Sequence, residues 1–158
     1  FVIYLLSAIG GNLLGAMCSD GLAVGASTGI AGLLGAGIGW LVLNWKNLEN
    51  QGNMRCMLTC MFSMIIILNI LFGFSSGSSL NKGVEVQVQV DWYGHLGGLY
   101  TGLFVGMAIM NAVFERHPKY EIKVRKIGAG LLLLWFTLGF SLFYTVVHPQ
   151  YYPHGSPQ

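Results

Sequence analysis

The feature that most constrains this chain is a series of five mainly apolar runs separated by short polar connections. The runs cover residues 1–17, 25–43, 54–74, 94–114 and 127–147. Most approach the length of about 20 residues that an α-helix needs to cross the hydrocarbon core of a bilayer. Only 9% of the 158 residues are charged, whereas soluble domains carry about 25%. The sequence therefore predicts an all-α fold, a polytopic membrane helix bundle with five transmembrane helices.

Basic residues are concentrated on one side of this predicted bundle. If the helices alternate in direction, seven of the eight basic residues lie in or beside the connections 44–53 and 115–126, and only Lys82 lies on the opposite side. The positive-inside rule places the basic side in the cytoplasm. The runs 25–43 and 94–114 are therefore each predicted to begin at the outer surface of the membrane.

Charge, cysteine and histidine usage exclude several functions. The formal net charge is only +2, so nucleic acid is not an expected partner. Three cysteines give no disulfide framework, and we expect Cys56 and Cys60 to pack on one face of a helix. His117, His148 and His154 have no ligand-like spacing, so we expect neither a metal nor another cofactor.

The run 25–43 opens on a motif associated with activated serines. Gly25, Ser27 and Gly29 form Gly-x-Ser-x-Gly, but a soluble α/β-hydrolase would need a strand before it, which this apolar pattern does not favour. His95 is the histidine that lies within an apolar run, also in the first turn of a helix that enters from outside. Because a nucleophilic serine needs a neighbouring base, the sequence predicts a dyad with Ser27 as nucleophile and His95 as general base.

Glycine stripes indicate how the two helices of this dyad approach each other. The glycines are Gly32, Gly35 and Gly39 on the Ser27 helix, and Gly98, Gly102 and Gly106 on the His95 helix. Small residues that share a face let membrane helices pack with close backbones. We expect the two stripes to bring the serine and the histidine together; the alternative is that they only make the bundle compact.

Three stretches taken together resemble the rhomboid intramembrane serine proteases. They are GGNLL at Gly10–Leu14, VGASTGIAGLLGA at Val24–Ala36 and HLGGLYTGLFVG at His95–Gly106, in the order and spacing of the family. The resemblance implies a six-helix core that cuts transmembrane substrates, with the serine at the start of the fourth helix and the histidine on the sixth. It assigns these roles to Ser27 and His95.

The same resemblance implies a domain organisation. Residues 1–147 would be a partial rhomboid-like domain with core helices three to six and, at 127–147, the extra helix of six-plus-one secretory-pathway members; residues 148–158 would be a polar tail. The first two core helices would be absent, and with them the side-chain oxyanion donors, a histidine and an asparagine. The backbone N–H of Ser27 would remain as a donor. We therefore expect this chain alone to be inactive or poorly folded.

Two positions near the serine depart from the family pattern. The residue after the serine, most often glycine, is Thr28, and the aromatic residue that usually packs on the histidine ring is replaced by Ala31. Trp92 or Tyr93 could partly substitute for that ring. Asp91 could orient His95 as a third member, but a dyad is favoured because Asp91 should face water.

Alternating valine and polar residues at 84–90 predict a short strand or loop hairpin on the membrane surface. Its position in the predicted outer connection would place it beside the site. One interpretation is that this segment contacts an extended part of the substrate. The favoured interpretation is that it is a surface loop without such a role.

The function implied by the resemblance is that of a multi-pass intramembrane serine endopeptidase. Its partners would be transmembrane protein substrates and the lipid bilayer, with the site facing the lumen or cell exterior in the secretory pathway or plasma membrane. The alternative is a non-proteolytic rhomboid-like protein that binds membrane clients; such relatives typically lack the serine or the histidine, and both occur here. A transporter predicts ionisable residues near the bilayer midplane, which the sequence does not have.

Overall fold

The computed structural model describes residues 1–18, 26–76, 92–113 and 117–147. Within these ranges the regular structure is helical and no strand is present. The helices are α1 (Val2–Cys18), α2 (Ser27–Leu43), α3 (Gly52–Ser76), α4 (Trp92–Ile109) and α5 (Pro118–Leu142), followed by a π-helical segment at Phe143–Val147. The predicted all-α bundle is therefore confirmed. The strand predicted at 84–90, and Asp91, lie outside the described residues.

Helix α5 begins at Pro118. The prediction that residues 115–126 form a connection is therefore wrong for residues 118–126, which are helical. Proline suits the first turn of a helix because its fixed φ is helical and its missing N–H would have no partner there. Glu121 and Val124 are buried one turn apart, which is the spacing of one helix face. The prediction started the helix at residue 127 because charged residues interrupt the apolar run before it.

Several helices are apolar enough for a lipid environment. By length and composition, Pro118–Thr145 is the helix among the described residues that could cross a membrane. Shorter apolar helices cover Val2–Cys18, Ser27–Leu43 and Gly52–Ile67. Large apolar side chains such as Leu133, at 69% exposure, lie on the outside of the bundle. A helix that is apolar all round is suited to contact with lipid rather than water.

Helices α2 and α4 form the centre of the bundle and make its most extensive contact. Helix α1 packs against both of them, and α5 packs mainly against α4. Helix α3 has a smaller interface with α2, where the ring of Phe62 fills the space beside Gly37.

Buried polar side chains fix the end of α2 that lies away from Ser27. Asn44 Nδ2 donates to the carbonyl of Trp40 at 3.0 Å, and Asn44 Oδ1 accepts from the backbone N–H of Val113 at 2.7 Å. Asn47 Nδ2 donates to Glu121 Oε1 at 2.8 Å. Because buried polar groups need partners, these bonds connect the segment after α2 to the end of α4 and the start of α5.

Candidate active site

Helices α2 and α4 run parallel with their backbones in contact at regular intervals. Carbonyl groups of α2 lie against glycines of α4 in three pairs, Thr28 with Gly98, Gly32 with Gly102, and Ala36 with Gly106. Successive pairs are four residues apart on both helices. One face of α2 therefore stays in contact with one face of α4 along the whole interface. A Cβ atom on any of these three α4 glycines would overlap the α2 backbone.

The α2 glycines complete this close contact from the other side. Gly35 lies against the carbonyl oxygen of Leu99, and Gly39 lies against that of Leu103. Gly32 also faces the side chain of Ser7, on α1. The structure thus brings the two predicted glycine stripes together, with backbone atoms rather than side chains forming the interface.

The parallel arrangement places the first turns of α2 and α4 side by side. Ser27 is the first residue of α2, and His95 is the fourth residue of α4. The distance between Ser27 Oγ and His95 Nε2 is 2.8 Å, which is within the range for a hydrogen bond. With the ring proton on Nδ1, the serine hydroxyl donates to Nε2.

The accessibility of the two side chains suits an attacking serine. Ser27 is exposed, whereas His95 is half-buried. The serine oxygen can therefore be reached from outside the bundle, whereas the imidazole is partly covered by it. That this end of α2 and α4 lies at the outer membrane surface stays a prediction from the positive-inside rule.

The start of α2 is also electrostatically suited to a developing negative charge. The N-cap residue, Ala26, makes no side-chain capping hydrogen bond. The first N–H groups of a helix have no intrahelical acceptor, and the helix dipole makes this end partly positive. The backbone N–H of Ser27, predicted as an oxyanion donor, lies at this end.

Helix α1 contacts the neighbours of both predicted catalytic residues, which the sequence did not predict. A Cβ at Gly11 would lie 2.6 Å from the carbonyl oxygen of Gly94, 3.0 Å from the backbone nitrogen of Gly98 and 3.2 Å from Thr28 Cβ. Thr28 follows Ser27, and Gly94 precedes His95. Helix α1 therefore holds α2 and α4 at the level of the dyad.

Two further α1 side chains lie against the first half of α2. The ring of Tyr4 fills the space beside Gly29, and Ser7, which is fully buried, packs against Gly32. The sequence of α1 is rich in small residues, which favours close helix packing. It does not indicate which helix these residues contact. In the family pattern discussed above, the histidine is supported by a ring at the position of Ala31, which here is buried.

Trp92 is half-buried and Tyr93 is 45% exposed; their support of His95 stays a prediction. His117 is exposed, and His148 and His154 lie outside the described residues. Among the residues that the structure describes, no group of three or more histidine, cysteine and acidic side chains could hold a metal ion.

Comparisons with known proteins agree on one family. The model of the rhomboid domain matches residues 1–112. The chain is 32% identical to Rhomboid-like protease 1 of Toxoplasma gondii, over 91% of this chain and 45% of that protein. It is 30% identical to RHOMBOID-like protein 7 of Arabidopsis thaliana, over 75% of this chain and 32% of that protein. It is 24% identical to Rhomboid-related protein 1 of Caenorhabditis elegans, over 94% of this chain and 39% of that protein.

The chain therefore spans less than half of the length of each of these curated relatives. No solved structure matches it significantly.

Proposed function

This chain belongs to the rhomboid family of membrane proteins, and we propose that it is part of an intramembrane serine endopeptidase. The proposed reaction is hydrolysis of peptide bonds in or near transmembrane segments of other membrane proteins. Family membership supports rhomboid-like activity in general. The observation that carries the proteolytic form is the distance of 2.8 Å between Ser27 Oγ and His95 Nε2.

In the proposed first step, Ser27 Oγ attacks the carbonyl carbon of the scissile peptide bond. His95 Nε2 accepts the hydroxyl proton and then donates it to the leaving amine. A water molecule, activated in turn by His95, hydrolyses the resulting acyl-enzyme ester. The bond-making and proton-transfer steps of this reaction use the serine, the histidine and water.

The oxyanion that forms in each step requires hydrogen-bond donors. The N-terminal position of Ser27 in α2 supports its backbone N–H as one of them, because donors aimed at the developing charge lower the barrier. We propose that the remaining donors belong to a part of the protein outside this chain. The curated relatives are more than twice as long as this chain. A single side-chain donor of this kind is worth about 10²–10³ in rate.

Substrate selection follows from the position of the dyad. A peptide bond within a helix is shielded by the helical hydrogen bonds, so the substrate must unwind locally before Ser27 can attack. Glycine or proline in the substrate lowers the cost of unwinding. A site at the outer membrane surface gives access to water, and we propose that the lumenal or extracellular face of a secretory-pathway or plasma membrane carries it.

The experiment that tests this function uses the full-length protein reconstituted in liposomes with a model transmembrane substrate. The substrate is prepared in two forms, one with a Gly-Pro pair near its outer end and one with Leu-Leu at the same place. We expect cleavage of the Gly-Pro form to be faster, and no cleavage by Ser27→Ala or His95→Ala. If the wild-type protein retains the substrate without cutting it, the client-binding alternative is correct.

A further inference from the structure

The first nine residues of α5 extend beyond the part of the helix that fits within the hydrocarbon core. The apolar part of the span Pro118–Thr145, which continues α5 into the π-helical segment, begins at residue 127. It is about 28 Å long at about 1.5 Å per residue, close to the core thickness of about 30 Å. Residues 118–126 add about 13 Å. Because the headgroup layer on each side is only about 5–8 Å thick, this extension crosses the layer on the basic side of the membrane.

One face of this extension carries three lysines. Lys119, Lys123 and Lys126 are all exposed, and at 100° per residue they lie within a sector of about 60°. Glu121 and Val124, which are buried, lie on the opposite side. The packing of α5 on the core therefore leaves the lysine stripe, defined as these three residues, facing outward.

The lysine stripe has no anionic partner within the described part of the protein. The nearest carboxylate in sequence is that of Glu121, which is 8% exposed and accepts a hydrogen bond from Asn47. None of the three lysines forms an ion pair with a described residue. Three positive charges on one short face, with no ion-pair partner among the described residues, attract a polyanionic surface.

The surroundings of the lysine stripe fit the boundary between lipid headgroups and acyl chains. Ile122 and Ile127 flank it on its two sides and are 53% and 44% exposed. Lys46, also exposed, has its Nζ 5.2 Å from the ring centroid of Tyr120, and Tyr120 follows the first lysine of the stripe. A surface with cations at its centre and apolar residues at its edges is suited to lipid more than to a soluble polyanion.

We propose that the lysine stripe, together with Lys46, binds the headgroups of anionic phospholipids in the leaflet on the basic side of the membrane. Lysine ammonium groups pair with phosphate as point charges, and their long alkyl stems can cover apolar surface beneath them. Each lysine near an anionic surface contributes about a five-fold gain in affinity, the equivalent of about 1 kcal/mol. The bound lipids would hold the cytoplasmic end of α5 at a fixed depth.

The test measures binding of phosphatidylserine to the purified full-length protein in phosphatidylcholine nanodiscs that contain increasing fractions of phosphatidylserine. Energy transfer from a dye on the protein to fluorescent phosphatidylserine reports binding. We expect the triple variant Lys119→Gln, Lys123→Gln, Lys126→Gln to bind on the order of 100-fold more weakly, and Lys123→Gln alone to bind about five-fold more weakly. The matched triple Lys→Arg variant, which keeps all three charges, should bind like the wild type.

Two further measurements complete the test: a competition that identifies the ligand, and a control for folding. Soluble phosphate at the same ionic strength as a chloride control should not compete, because the apolar edges of the surface need the acyl chains. The melting temperature in pure phosphatidylcholine should be equal for the wild type and the Gln variants, because the lysines are exposed. Wild-type phosphatidylserine binding by the folded triple Gln variant would overturn the proposal, as would full competition by soluble phosphate. No arm depends on proteolysis, so this result is independent of the proposed function.

Discussion

The carbonyl oxygen of Gly32 occupies the space that a side chain at Gly102 would need. The contact lies between the pairs Thr28–Gly98 and Ala36–Gly106, in the middle of a continuous backbone interface between α2 and α4. Because the atoms in contact belong to the backbone, a side chain cannot be accommodated by rotation of a neighbour. The separation of the two helices, and hence the Ser27–His95 distance, depends on the absence of Cβ atoms here.

Gly102→Ala should push α2 and α4 apart and lower the activity of the full-length enzyme by about 10²-fold, the effect of a misplacement of about 1 Å in the reacting groups. Overpacking of this kind typically also costs about 1–3 kcal/mol of stability. Cleavage rate and resistance to thermal unfolding are the measurements. The matched control is Gly130→Ala, where a Cβ would meet nothing within 4 Å. Wild-type cleavage by Gly102→Ala would show that the approach of the helices is set elsewhere.

Gly11→Ala should disturb the dyad from the side of α1. The added Cβ would lie 2.6 Å from the carbonyl oxygen of Gly94, which forces a backbone to shift next to His95. We expect slower labelling of Ser27 by a fluorophosphonate probe while the protein still inserts in the membrane. Gly52→Ala is the control, since a Cβ there also meets nothing within 4 Å. Equal labelling rates in the two variants would contradict the proposed role of α1.

Asn47→Ala should destabilise the attachment of α5 to the core. The substitution removes the donor to Glu121 Oε1 and leaves a buried acceptor unsatisfied, which costs about 1–3 kcal/mol. The free energy of unfolding in a denaturing detergent titration measures the loss. Asn50→Ala is the control, because Asn50 is exposed and its replacement should stay within about 0.5 kcal/mol. Equal stability of the two variants would mean that the Asn47–Glu121 bond contributes nothing.

Single cysteines should report the orientation of the bundle in a variant without the three native cysteines. A cysteine at position 82 should react with an impermeant reagent from outside, and cysteines at 119 and 123 should react from inside. The expectation rests on the concentration of basic residues beside α5 and after α2. The opposite pattern would move Ser27 to the cytoplasmic face and contradict the proposed access of water and substrate.

The helix bundle could be predicted from the sequence because apolar runs of membrane length admit few other structures. The pairing of Ser27 with His95 at one end of the bundle also followed, since charge asymmetry puts both first turns at the same membrane surface. The structure brings the two atoms to 2.8 Å, and their catalytic roles stay predictions.

Other contacts could not be derived from the sequence. A helix such as α1 that is apolar on every side does not indicate which face meets which partner, so the position of Gly11 between α2 and α4 was not foreseen. The start of α5 was not predicted because the charged residues before position 127 interrupt the apolar pattern. The buried face of this part of the helix holds Glu121 and Val124. The bond between Asn47 and Glu121 joins residues far apart in the sequence, and no local pattern pairs them.

The central claim is that Ser27 is a nucleophile activated by His95, and active-site labelling of the full-length protein tests it most directly. A fluorophosphonate probe should form one adduct on Ser27 in the wild type, none on Ser27→Ala, and a slow one on His95→Ala, because the serine then has no proton acceptor. Asp91→Ala should label like the wild type if the dyad acts alone. For cleavage, the double variant should be little worse than either single one, since nucleophile and base act as a unit. Labelling of His95→Ala at the wild-type rate, or cleavage of a transmembrane substrate by Ser27→Ala, would contradict the account.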